Sequence, residues 1–82
     1  MHVTVIAPES AVYDGEAESV VAPAFDGLVG ILPGHAPFMT LLGEGSLTIA
    51  RGGQSHSFAV RGGFLQVLQN EVRVVAEHAE ES

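Results

Sequence analysis

Short hydrophobic or alternating segments recur roughly every eight to ten residues along this 82-residue chain, and each is bounded by Gly, Pro or Asn. No apolar pattern of helical period continues for three turns. Ten glycines favour many tight reversals, since glycine accepts a positive φ. The pattern predicts an all-β fold, a flattened ten-stranded antiparallel β-sandwich or barrel. Nine of the strands are placed at 2–7, 11–14, 17–24, 28–32, 38–42, 46–51, 55–61, 63–69 and 71–77.

The length of the chain allows one domain, which we place at residues 1–78, followed by a short acidic tail at 79–82. A hydrophobic content of 46% is enough for a packed core. The chain has no Cys, so neither a disulfide framework nor a Cys-ligated zinc site can reinforce the fold.

Three Arg and no Lys stand against ten acidic residues, which gives a net charge of −7. A chain without a basic cluster is a poor candidate for binding nucleic acid or anionic lipid. No run of apolar residues is long enough to span a bilayer, and the N-terminus lacks the pattern of a secretory signal. We therefore expect membrane contact only through a partner protein.

Two turns and one core are well specified. Gly52-Gly53 separates two strand-like segments by two residues, and Asn70 stands between two Val/Leu-rich segments. Alternation along the strands then predicts which side chains face inward. The predicted core comprises Leu47, Ile49, Phe58, Val60, Leu65, Val67, Val72, Val74 and Ala76.

Catalytic and metal-binding patterns are missing from the sequence. The four histidines His2, His35, His56 and His78 form no His-x-His or His-x-x-x-His pair. No serine lies in a nucleophile elbow, and Gly62-Gly63 is followed by no Lys that could complete a phosphate cradle. We predict no enzyme activity, no metal and no cofactor. A small-ligand-binding or cupin-like β-sandwich remains an alternative, and inward-facing histidines in a closed barrel would favour it.

The run Gly30-Ile31-Leu32-Pro33-Gly34-His35-Ala36-Pro37 carries the most specific information. Pro-Gly predicts a type II turn, and Pro37 holds Ala36 extended, so a new strand should begin at Phe38. The run resembles the Pro-Gly-His-Ala-Pro corner of the ε subunit of F-type ATP synthases, in its N-terminal β-sandwich domain. Further segments resemble that family in the same order along almost the whole chain: 2–9 its first strand, 12–15 the following hairpin, 18–23 the next strand and 62–67 a late Gly-Gly strand.

This resemblance implies a function. Members of the family are non-catalytic rotor subunits that clamp the γ subunit to the c-ring of the membrane sector. For this chain we expect a peripheral position on the cytoplasmic face of a bacterial inner membrane. The family continues into two C-terminal helices that carry its ATP-binding and inhibitory elements. No residue of this sequence matches those elements, so we expect coupling without inhibition.

The resemblance also assigns partner contacts. Ala7, His35 and Thr40 match positions that face γ in the family. Asp26, Gly27 and Leu28 match the loop that meets the c-ring, although relatives often carry a carboxylate where Leu28 stands. Asp26 is the best single acidic candidate, since a carboxylate can pair with a cation of the ring. Two plainer interpretations stay open: His35 caps a neighbouring carbonyl, and Asp26 belongs to an ordinary Asp-Gly turn.

Overall fold

The computed structural model describes residues 1–8 and 10–81, with the backbone alone for Ser10. Glu9, the end of the segment that resembles the family's first strand, and Ser82, the end of the predicted tail, lie outside the described residues. The described residues form eight strands: β1 (His2–Ala7), β2 (Ser10–Glu16), β3 (Ser19–Ala24), β4 (Gly27–Ile31), β5 (Phe38–Leu41), β6 (Glu44–Arg51), β7 (Gln54–Leu68) and β8 (Glu71–Glu81).

Two long strands, β7 and β8, take part in both layers of the sandwich. Residues 54–61 of β7 pair with β6. Residues 64–67 of β7 pair with β5, and this pairing continues the register of the β6 pairing. The first layer thus contains β4, β3, β6, the start of β7 and the end of β8. The second layer contains β2, β1, the start of β8, the end of β7 and β5. Eight strands therefore supply ten strand segments, five in each layer, whereas the sequence analysis expected ten separate strands.

Glycines mark the level at which the chain passes from one layer to the other. Gly62 and Gly63, with φ of 70° and 102°, interrupt the alternation of β7. The buried side chains of β7 are even-numbered before these glycines and odd-numbered after them. The segment that pairs with β7 changes in the same way: its buried side chains are even-numbered up to Leu42 and odd-numbered from Leu47 onward. Since the inward face would otherwise turn outward at the bend, the shift keeps apolar side chains in the core of both layers.

The core between the layers is apolar and continuous. All nine predicted core residues are buried, which confirms the alternation inferred from the sequence. An aromatic contact joins the layers: the ring of Tyr13 on β2 lies 6.2 Å from that of Phe58 on β7, edge to face. No buried side-chain nitrogen or oxygen among the described residues lacks a hydrogen-bond partner. The two layers therefore share one apolar core.

Both predicted two-residue turns are confirmed. Arg51 pairs with Gln54 across Gly52-Gly53, and Leu68 pairs with Glu71 across Gln69-Asn70. The central residues of both turns have positive φ, between 52° and 81°. Such turns match the right-handed twist of the flanking strands.

Three local expectations were wrong. The first and last strands, β1 and β8, pair in parallel, so the sandwich is not wholly antiparallel. No short turn connects them, and their direction is set by the core they share rather than by a hairpin. Residues 12–15 lie inside β2, the second strand of the antiparallel hairpin that β1 and β2 form. Gly62-Gly63 bends β7 without ending it. In addition, β8 continues to Glu81, into the segment placed in the tail.

The described residues contain no helix long and apolar enough to cross a membrane.

Candidate partner-binding surfaces

The outer face of the second layer carries a line of apolar side chains across five strands. The pairing register sets these residues side by side, and none of them carries a charge. Leu41 is 64% exposed and Ile6 37%, while Phe64 and Val75 are half-buried. Because apolar patches on a protein surface often mark interaction sites, this line is a candidate interaction surface. This apolar row consists of Ala11, Ile6, Val75, Phe64 and Leu41.

Acidic residues border the apolar row on the same face. Asp14 and Glu16 on β2 flank His2, whose Nε2 lies 2.6 Å from Asp14 Oδ1 and whose Nδ1 lies 3.4 Å from Glu16 Oε2. Glu71 pairs with His2 from β8, next to Arg73 on the outer face. Three carboxylates thus face one arginine and one histidine. The border favours a partner whose own rim is basic, and it disfavours a second copy of this chain.

The residues matched to γ contacts all belong to the second layer or to the loop that enters it, but they are not adjacent. Ala7 ends β1 and Thr40 lies on β5, with β8 and β7 between them, a separation of about 14 Å at normal strand spacing. The apolar row joins them, because Ile6 precedes Ala7 and Leu41 follows Thr40. Thr40 itself is only 9% exposed, and its hydroxyl donates to Leu41 O at 3.2 Å. Its exposed neighbours Met39 and Leu41 offer more contact surface, and sequence alternation alone could have found them.

His35 lies in the corner at residues 32–37, between β4 and β5. The predicted turn is present: Gly34 has a φ of 83°, and His35 N donates to Leu32 O at 3.1 Å. His35 Nδ1 lies 2.7 Å from Ala36 O, and its ring packs edge to face on Phe38 at 5.6 Å. His35 therefore makes the carbonyl contact of the plainer interpretation. The ring remains partly exposed, so that contact leaves surface for a partner.

The loop matched to the c-ring contact is the tip of the β3–β4 hairpin. Ala24 pairs with Gly27 across the two-residue turn Phe25-Asp26, and Gly27 has a φ of 135°. Asp26 is exposed, with Phe25 and Leu28 exposed on either side at 69% and 75%. The sequence analysis missed Phe25, although a large apolar residue in a turn is an unusual choice. The tip and the corner lie at opposite ends of β4, about 13 Å apart along the strand.

The four histidines lie in separate places. His2 lies beside carboxylates of β2, His35 in the corner and His56 beside Tyr13, with ring centroids 5.6 Å apart. His78 lies on the outer face of the first layer, opposite Arg61. Among residues 1–8 and 10–81 there is no group of three side chains arranged to hold a metal ion. The sheet is not closed: its pairing path ends at β2 and at β4.

An open β-sandwich with a line of apolar side chains on one outer face and an apolar hairpin tip has the surface features of a domain that docks against other proteins. The sequence model of the β-sandwich domain of the ATP synthase delta/epsilon chain matches residues 1–82. The chain belongs to this family. The resemblance that the corner motif indicated is therefore confirmed.

Individual relatives agree with this assignment. The chain is 42% identical over 78 residues to an ATP synthase epsilon chain of Leptospira borgpetersenii, covering 95% of this chain and 61% of that protein. It is 40% identical over 82 residues to that of Caulobacter vibrioides, covering all of this chain and 95% of that protein. The chain thus spans about three fifths of the first relative and nearly all of the second. In a mitochondrial ATP synthase of Euglena gracilis, one chain superimposes with a TM-score of 0.88 at 22% identity, over 96% of this chain and 51% of that one.

Proposed function

We propose that this chain is a central-stalk subunit of an F-type ATP synthase, and that it holds the γ subunit on the c-ring so that proton flow and ATP synthesis stay coupled. Family membership supports this proposal, as does a second similar structure, from the central stalk and c-ring of the mitochondrial ATP synthase of Tetrahymena thermophila. The role is mechanical and non-catalytic. It places the domain peripherally on the cytoplasmic face of a bacterial inner membrane.

The observation that carries the proposal is the presence of two exposed apolar surfaces, the apolar row and the hairpin tip, on one packed body. The apolar row crosses the outer face of the second layer, and the hairpin tip meets one end of the row, where Phe25 N donates to Leu41 O at 3.0 Å. A continuous core, whose buried polar side-chain atoms all have hydrogen-bond partners among the described residues, supports both surfaces. A body of this kind transmits force between two partners without shearing, because close-packed interiors have low compressibility.

We assign γ to the apolar row and to the corner. Ile6 and Leu41 lie at the two sides of this surface, and Met39 extends it along β5 toward His35. Large apolar side chains at the centre and charges at the border are the usual anatomy of a protein interface. The position of Thr40 supports a packing role beneath this surface, with its neighbours making the contact.

We assign the c-ring to the hairpin tip. Asp26 stands between Phe25 and Leu28, so a cation that approaches its carboxylate becomes partly desolvated by the two apolar side chains. Charge-assisted hydrogen bonds are shorter and stronger than neutral ones. Removing this contact should cost about 1–3 kcal/mol of ring affinity.

Reconstitution with γ and the c-ring tests both assignments. Ile6→Lys should weaken γ binding at least tenfold and leave ring docking intact, whereas Asp26→Lys should do the reverse. Val21→Lys is the matched control, because Val21 is a similarly exposed apolar residue on the outer face of the first layer. Wild-type protein that bound neither partner would refute the proposed function. Binding curves unchanged by both substitutions would refute the surface assignments alone.

A further inference from the structure

A hydrogen bond to Asn70 links the corner to the rest of the domain. It occupies the second position of the β7–β8 turn, with a φ of 62°. Its side-chain Oδ1 accepts a hydrogen bond from Gly34 N at 3.1 Å. Its backbone oxygen accepts another from His2 N at 3.2 Å. One residue thus connects the β7–β8 hairpin, the start of β1 and the corner.

The corner has few other attachments. Most of its residues are exposed, and its contacts at the Pro-Gly turn and at Ala36 O are internal. Of the hydrogen bonds in the part of the chain that the structure describes, the one from Gly34 N to Asn70 is the one that ties residues 33–37 to another segment. Without it, the corner would keep its internal hydrogen bonds and the packing of the His35 ring against Phe38.

We infer that Asn70 is a positioning residue for γ binding, which holds the His35 corner in its docking orientation before γ arrives. The inference rests on the proposed function. A loop that must be ordered on binding loses affinity, and a loop held beforehand does not. The turn explains why residue 70 has a positive φ, but glycine adopts a positive φ at least as well as asparagine does. The side-chain amide is not needed for the turn, but it is needed for the bond to Gly34.

Three substitutions separate these two roles. Asn70→Gly keeps the positive φ and deletes the acceptor. Asn70→Asp keeps both, because a carboxylate oxygen accepts the same bond and Asp also tolerates this conformation. Gln69→Gly is the control: Gln69 has a φ of 52° in the same turn and makes no hydrogen bond to the corner.

Hydrogen exchange of the Gly34 amide in the free protein, followed by NMR, measures directly how well the hydrogen bond to Asn70 protects that amide. Titration of the full chain with γ from the same synthase measures its consequence. In Asn70→Gly we expect Gly34 to exchange about fivefold faster and the dissociation constant for γ to rise about three- to tenfold. Asn70→Asp should restore both values, and Gln69→Gly should change neither.

Unchanged exchange of Gly34 in Asn70→Gly would overturn the inference, and so would faster exchange with unchanged γ affinity. Either result leaves the proposed function standing as long as the wild-type chain binds γ. Absence of wild-type binding is a different outcome, which overturns the proposed function and with it the docking role of Asn70.

Discussion

Gly63 is the position at which a single methyl group should do the most damage. Its φ is 102°, outside the region that side-chain-bearing residues adopt. A Cβ built there would lie 1.9 Å from the carbonyl oxygen of Val75 and 2.8 Å from the Cα of Ala76. Both atoms belong to the backbone of β8, so no rotamer change can relieve the overlap. We predict that Gly63→Ala strongly destabilises the domain.

The expected cost has two parts. A residue held in a sparsely populated backbone region costs about 1–3 kcal/mol. Forcing a group into a filled space adds about 1–3 kcal/mol. The sum is about 2–6 kcal/mol, against a total free energy of unfolding of about 4–12 kcal/mol for a domain of this length. Because β7 changes layer at this residue, separating β7 from β8 here loosens both layers together.

Two other glycines provide controls that separate the cost of backbone strain from the cost of steric overlap. Gly52 has a φ of 57° and nothing within 4 Å of an added Cβ, so Gly52→Ala should cost strain alone, about 1–2 kcal/mol. Gly30, on β4, has neither a positive φ nor a neighbour within 4 Å. Gly30→Ala should stay within about 1 kcal/mol of the wild type and can be stabilising, since it removes freedom from the unfolded chain.

Urea unfolding followed by far-UV circular dichroism orders the three variants. The expected order of stability is Gly30→Ala first, then Gly52→Ala, then Gly63→Ala. The denaturant slope should be equal where the transition remains two-state. If Gly63→Ala were no less stable than Gly52→Ala, the close approach of β7 and β8 at the bend would be wrong.

Three further predictions concern the core and the surfaces. Leu47→Ala should lower the free energy of unfolding by about 2–5 kcal/mol, because Leu47 is fully buried between the layers; a urea midpoint within error of the wild type would contradict this. Leu28→Ala, by contrast, should change the free energy of unfolding by less than about 0.5 kcal/mol yet weaken ring docking in a pulldown, since its side chain is 75% exposed at the hairpin tip. With a net charge of −7, the association rate with γ should fall as ionic strength rises in stopped-flow mixing, while the dissociation rate changes little.

Much of the fold follows from local features of the sequence. The turns at Gly52-Gly53 and at Gln69-Asn70 were predictable because each depends on the backbone preferences of two residues. The inward faces of β6 and β8 were predictable because alternation over four or more residues has one solution that buries valine and leucine. The Pro-Gly-His corner was equally local, and it also carried the family resemblance.

The candidate surfaces were less predictable. The hairpin tip could be placed, because Asp26-Gly27 is a turn signal, but Phe25 beside it was missed, although its place in the turn was itself a signal. Thr40 was assigned to a contact from the family resemblance, and only the structure shows that its side chain is buried. The bond between Asn70 and Gly34 joins residues 36 positions apart, beyond the range of any local pattern.

By itself, the sequence determined the strand segments, the turns and the composition of the core, since these depend on contacts between near neighbours in the chain. Tertiary structure alone decided how the segments align. The parallel pairing of β1 with β8 brings Ile6 beside Val75, and the register of β7 adds Phe64 and Leu41 to the same line. A register shift of one residue would turn each of these side chains to the other face. The apolar row therefore exists only because the shared core holds five strands, drawn from both ends of the chain, in one register.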